Sequence, residues 1–152
     1  MLVLLRHLAR VRRDAGVARA RHPGSRGMRH VDAGSCNGCE HELGATASPF
    51  YDLGRHGLDI VASPRHADVL LVTGPVTTRM REPLLRAYEA MPEPRLVAAL
   101  GDCAMGCNVL AAASELAEPL EELLPVAIRI PGCPPTPAVI AEALIRQLGS
   151  PA

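Results

Sequence analysis

Apolar residues recur along this chain in two rhythms. Short stretches at Met28 to Ala33, Leu58 to Ala62, Asp68 to Thr73, Arg95 to Leu100 and Val126 to Ile130 read as β-strands. The third is nearly all apolar, as strands buried on both faces of a parallel sheet are. Gly74-Pro75, Gly101 and Pro131-Gly132 close the last three strands. Between the strands, Glu40 to Ala47, Arg79 to Ala90, Ser114 to Leu124 and Thr136 to Leu148 have helical character. Pro83 and Pro137 stand near predicted helix starts, where a missing N–H costs little, and Gly149 follows the last helix. Pro49 to Gly57 reads as a loop or a short helical turn. Strands alternating with helices predict an α/β domain with a mainly parallel sheet and helices on both faces.

A further amphipathic pattern precedes the domain. Leu4, Leu5, Leu8 and Val11 fall on one stripe of a predicted helix over residues 1–22, with Arg on the other positions. Pro23-Gly24-Ser25-Arg26-Gly27 reads as a linker, so residues 1–27 form an arm and 28–152 one domain. The chain has no Lys, and eight of its sixteen Arg precede residue 30, against the single acid Asp14. An Arg-rich genome accounts for the content but not for the clustering. Such an arm suits acidic partners or anionic headgroups, or packs as a local helix on its own domain.

Composition narrows the function classes. With 152 residues and 48% hydrophobic content the chain is long and apolar enough for one packed core. Aromatics are only 2%, which argues against base-stacking nucleic-acid modules. No apolar run approaches the roughly 18–20 residues of a membrane span. Arg12-Arg13 is followed by Asp14-Ala15-Gly16 instead of an apolar export signal, so a cytoplasmic location with free thiols is expected.

The five cysteines lie in three segments: Gly34-Ser35-Cys36-Asn37-Gly38-Cys39-Glu40, Gly101-Asp102-Cys103-Ala104-Met105-Gly106-Cys107 and Pro131-Gly132-Cys133-Pro134-Pro135. An odd count at these spacings suits a metal site better than a disulfide framework. Each segment follows a predicted strand directly, and ligands of open α/β sheets gather at the carboxyl ends of strands. Cys36, Cys39, Cys103 and Cys133 can therefore converge on one [4Fe–4S] cluster, one thiolate per iron. Structural zinc is the rival, although it usually takes two paired knuckles and only one Cys-x-x-Cys is present. A redox dithiol at Cys36 and Cys39 would leave Cys103 and Cys133 unexplained. Cys107 reads as a small buried residue or as a substitute for Cys103 in the ligand set.

At Cys36-Asn37-Gly38-Cys39, Gly101-Asp102-Cys103 and Gly132-Cys133-Pro134-Pro135, and along Ser63 to Thr77, the chain resembles the small subunit of [NiFe] hydrogenases and the 20-kDa cluster subunit of complex I. The resemblance spans about residues 30 to 148. The Cys-x-x-Cys spacing is similar to the hydrogenase branch, and the short C-terminus to its membrane-bound, energy-converting group. The resemblance implies a flavodoxin-like fold and a proximal [4Fe–4S] cluster on Cys36, Cys39, Cys103 and Cys133. It also implies electron relay between ferredoxin-like subunits and the [NiFe] site of a large subunit, beside integral membrane subunits that move ions. The subunit would lie peripherally on the cytoplasmic side of the membrane. A complex-I-like quinone reductase subunit and a structural zinc module remain the alternatives.

Glu40 follows the second ligand and is a candidate proton carrier, or a first-turn acid placed by the helix dipole. His41 and Glu42 read as solvated or interface residues. Arg65 and His66 are structural at a strand entrance, or raise a cluster potential by their charge. Asp102 reads as a turn-former.

Overall fold

The computed structural model describes residues 25–107 and 112–148. The predicted arm helix lies outside these residues. Five strands form one sheet: β1 (Arg26–Asp32), β2 (Leu58–Ile60), β3 (Val69–Thr73), β4 (Leu96–Leu100) and β5 (Val126–Ile130). Their order is β2-β1-β3-β4-β5 and every pairing is parallel. This is the flavodoxin-like order, in which the chain switches direction of travel between β1 and β3. The expected α/β, flavodoxin-like fold is therefore the observed one.

Alternation along the strands divides the core in two. Val69, Leu71, Ala98, Leu100, Ile128 and Ile130 point to one face, which α1 (Gly38–Ala45) and α4 (Pro137–Leu148) cover. Leu70, Val72, Val97 and Ala99 point to the other, which α2 (Thr78–Glu89) and the short α3 (Leu120–Leu123) cover. All five residues of β3 are buried, as the central position of a sheet covered on both sides requires. Burying a Leu or Ile side chain is worth about 1.5–3 kcal/mol, so Leu71, Leu100 and Ile140 anchor the layers.

Some elements differ from expectation. β1 starts at Arg26, inside the predicted linker, because Arg26 N–H donates to the Gly57 carbonyl and Gly27 N–H to the Asp68 carboxylate. The predicted helix over Ser114 to Leu124 is broken. Only a 3-10 turn (Ala113–Glu115) and α3 form, because Pro119 cannot continue a helix from the preceding turn. Leu116 instead pairs with Thr77 across an isolated bridge. α1 begins at Gly38, inside the cysteine motif, earlier than the Glu40 expected. Pro83 lies inside α2 and beyond its first turn, on the exposed side. No helix among the described residues is long and apolar enough to cross a membrane.

Candidate metal centre

Three loops leave the carboxyl edge of the sheet, and each carries thiols. After β1, the Asp32 carboxylate accepts the Gly34 and Ser35 N–H groups at 2.8 and 2.7 Å, folding the chain back on itself. Burial alone would raise the Asp32 pKa. The backbone donors of Ser35 and Gly34 outweigh that and hold it below its ordinary value. Ser35 Oγ accepts the Asn37 N–H, and Asn37 in the left-handed conformation opens α1. Cys36 is exposed on this turn, and Cys39 is half-buried in the first turn of α1, against the core.

After β4, a 3-10 turn (Asp102–Met105) carries Cys103, and after β5 Cys133 stands exposed before Pro134. Asp102 joins these two loops. Its Oδ1 accepts the Gly132 N–H at 2.7 Å, and its own N–H donates to the Gly132 carbonyl at 2.9 Å. The expected turn-former is thus a cross-link between the second and third thiol loops.

The thiols are close enough to feel one another. The Cys39 thiol is pushed up to about 11, first by burial and then by the charges of Glu40, Cys36, Cys103 and Cys133. Gly101 makes this approach possible. Its φ of 87° and ψ of 156° lie where essentially only Gly goes, and a Cβ there would stand 2.5 Å from Cys39 Sγ. No three His, Cys, Asp or Glu side chains among the described residues gather as one metal ion would need. A four-iron cube takes one thiolate per iron and so holds its ligands further apart.

Beside Cys39 runs a polar chain. The Thr73 hydroxyl, at the end of β3, donates to Glu40 Oε1. With its proton committed there, Thr73 Oγ1 accepts from His30 Nε2 at 2.9 Å, and His30 Nε2 is 3.5 Å from Glu40 Oε1. Burial lowers the His30 pKa below 6.5, against the pull of Glu40 and Asp32, so its neutral form is favoured. Glu40 Oε2 is buried without a hydrogen-bond partner. A cavity of about 500 Å³ adjoins, lined by His30, Glu40, Thr46, Asp52 and Asp59 among apolar side chains.

Residues 36–147 match the family model described as NADH ubiquinone oxidoreductase, 20 Kd subunit. The chain belongs to this family. The match begins at Cys36 and includes all four proposed ligands. A probable membrane-bound hydrogenase subunit of Pyrococcus furiosus is 44% identical over 78% of this chain and 71% of its own length. Formate hydrogenlyase subunit 7 of Escherichia coli is also 44% identical over 78% of this chain, but over only 47% of its own length. A chain of the membrane-bound sulfane sulfur reductase, an archaeal respiratory membrane complex, superposes with a TM-score of 0.70 at 28% identity. It covers 82% of this chain and 69% of that one. Two of these relatives are a membrane-bound hydrogenase subunit and a formate hydrogenlyase subunit, and this chain, as a member of the 20 Kd family, is a subunit of a hydrogenase-like oxidoreductase complex.

Within the family framework, the structure brings Cys36, Cys39, Cys103, Cys133 and Glu40 to one edge. Cys107 departs from expectation. It is exposed, not buried, because Gly106 at φ 93° turns the chain outward after the Cys103 turn. Arg65 and His66 occupy a 3-10 turn (Pro64–His66) before β3, at the amino edge of the sheet. A five-residue strand separates them from the thiol loops by roughly 17 Å at about 3.3 Å per residue, which favours their structural role over tuning by charge. His41 is exposed and bonded to Asn37 Nδ2 at 3.1 Å, and Glu42 is partly exposed. The sequence reading missed Thr73, His30 and Asp32. Thr73 had a signal: one hydroxyl closing an otherwise apolar, fully buried strand.

Proposed function

We propose that this chain is the electron-relay subunit of a membrane-bound, hydrogenase-like complex, holding one [4Fe–4S] cluster on Cys36, Cys39, Cys103 and Cys133. The observation that carries this reading is that the three loops holding these cysteines, after β1, β4 and β5, all leave the carboxyl edge of one parallel sheet, in a chain of this family. The donor set fits the group. Thiolates are the ligands iron–sulfur cubes take, and a cationic metal core offsets the burial and the neighbouring negative charge that raise Cys39. Gly101 leaves room beside Cys39 that any side chain would fill. When bound, the cluster supplies one-electron transfer.

The chain's own residues supply position and environment. Asp32 and Asp102 fix the ligand loops, and the apolar layers on both faces of the sheet keep them rigid. In this reading the partners are a [NiFe]-hydrogenase-like large subunit, a ferredoxin-like iron–sulfur subunit and integral membrane subunits that translocate ions. The complex lies on the cytoplasmic side of the membrane with this subunit peripheral. The chain's relatives, a membrane-bound hydrogenase subunit and formate hydrogenlyase subunit 7, support a hydrogenase-like complex. Glu40, adjacent to Cys39 and bordering the 500 Å³ cavity, is the candidate proton carrier. Residues before β1 form a basic arm that docks the subunit on the membrane surface or membrane subunits, with the cluster domain starting at Arg26.

Anaerobic purification of the intact complex tests the reading. Iron and acid-labile sulfide in equal amount, with a [4Fe–4S] electron paramagnetic resonance signal lost on Cys103→Ser, is the expected result. Zinc with neither iron nor sulfide in this subunit would overturn it. Deleting residues 1–22 is expected to leave that signal intact and to release the subunit from membranes, more readily at high salt. Unchanged membrane retention would refute the docking role.

A further inference from the structure

We propose that Thr73 and His30 are positioning residues which, by holding the Glu40 carboxylate against the Cys39 turn, set the reduction potential of the centre. The inference rests on the cluster reading above and goes beyond it, because neither residue touches a ligand in that reading.

Three observations carry it. Thr73 is 0% exposed, at the end of a strand whose other residues are Val and Leu, and buried polar groups are retained where they have a bonding task. Its hydroxyl spends its proton on Glu40 Oε1 and accepts from His30, so the chain has one direction, from ring to hydroxyl to carboxylate. Glu40 is held through one oxygen only, since Oε2 is buried without a partner. A carboxylate so placed is fixed through that oxygen, chiefly by Thr73 and with His30 at 3.5 Å. The adjoining 500 Å³ cavity gives it somewhere to swing if the contact is removed.

The consequence is electrostatic. A carboxylate beside a ligand thiol, as Glu40 is beside Cys39 in the first turn of α1, disfavours added negative charge there. Cluster potentials follow net nearby charge and hydrogen bonding. Held by Thr73, the Glu40 charge acts at a fixed short distance. Released into the cavity, it acts from further away and through water.

The test is a redox titration of the intact complex, followed by the paramagnetic signal of this cluster. Glu40→Gln is expected to move the midpoint potential to more positive values. Thr73→Val, similar in shape but without the hydroxyl, is expected to move it in the same direction by less, and Thr73→Ser to restore the native value. Combined with Glu40→Gln, Thr73→Val is expected to add nothing, because a residue acting through Glu40 has no effect once the charge is gone. His30→Leu gives a second reading should Thr73→Val fail to fold. It too is expected to shift the potential only when Glu40 is present. Equal shifts with Glu or Gln at position 40, or no shift from either positioning residue while Glu40→Gln shifts, would overturn the proposal. Absence of an iron–sulfur signal in the unmodified complex would instead refute the cluster reading beneath it.

Discussion

The two halves of the thiol edge are organised by the same device at different ranges. On the β1 side, Asp32 accepts N–H groups only two and three residues ahead, so the Cys36 turn is built by its own sequence. On the β4–β5 side, Asp102 reaches Gly132, thirty positions away, so the Cys103 and Cys133 loops exist as a pair. A locally built turn is formed wherever its segment goes. A paired one depends on the strands beneath it.

Substitutions can break this contrast or sharpen it. The largest effect is expected at the ligands themselves. Cys103→Ser should abolish cluster loading, while Cys107→Ser, exposed beyond the turn, should leave iron and sulfide content unchanged. The reverse pattern would move the third ligand out of the proposed set.

Next comes the contact between the halves. Gly101→Ala puts a Cβ 2.5 Å from Cys39 Sγ and adds backbone strain of about 1–3 kcal/mol. Loading should fall steeply, read as iron per chain. Gly106→Ala is its control, since Gly106 has a similar positive φ with nothing within 4 Å of an added Cβ. Its cost should be backbone strain alone, about 1–2 kcal/mol in denaturant melts, with loading kept.

Asp102→Ala and Asp32→Ala measure the contrast directly. Each leaves donors without an acceptor. Asp102→Ala is expected to cost about 1–3 kcal/mol, because it strands the partly buried Gly132 N–H and loosens two ligand loops together. The Asp32 bonds are exposed, so water can replace them, and Asp32→Ala should cost about 0.5–1.5 kcal/mol. Equal losses in chemical denaturation would erase the distinction between the halves.

The smallest effect is in pH. His30 is held below 6.5 by burial, so the unfolded chain binds its proton more readily than the folded one. Stability from this group is full above pH 6.5 and lost as pH falls from there towards the folded value. Asp32, a depressed carboxylate, acts with the same sign in a more acidic window, its stability present above about 3.8 and lost as pH falls through its folded value. Thermal melts of native and His30→Leu protein should therefore differ in slope only in the mildly acidic range.

The fold was largely legible because its signals are local. The short apolar run at Val69 to Val72, closed by Gly74-Pro75, reads as a buried strand, and Gly-x-Cys directly after a strand marks a candidate ligand turn. The four thiols could be grouped because three strands ended in them. What stayed hidden depends on distant pairs. Asp102 reads as an ordinary turn residue until Gly132 is beside it, and Thr73, His30 and Glu40 meet only once β1, β3 and α1 are packed. The break before α3 was marked by Pro119, whose weight against the helical pattern of Ser114 to Leu124 was underestimated. The exposure of Cys107 follows from the conformation of Gly106, which composition does not reveal.

The strand order also fixes a timetable. Cys36 and Cys39 are translated early, and their partners arrive only after β4 and β5 have been made and laid beside β3. Closing so long an interval of chain costs entropy that grows with its length, and here sheet pairing helps offset it. In small zinc domains the ion gathers the chain and folding follows. In this protein the loops after β4 and β5 carry two of the four proposed donors, so a nascent chain cut short before β5 offers an incomplete set.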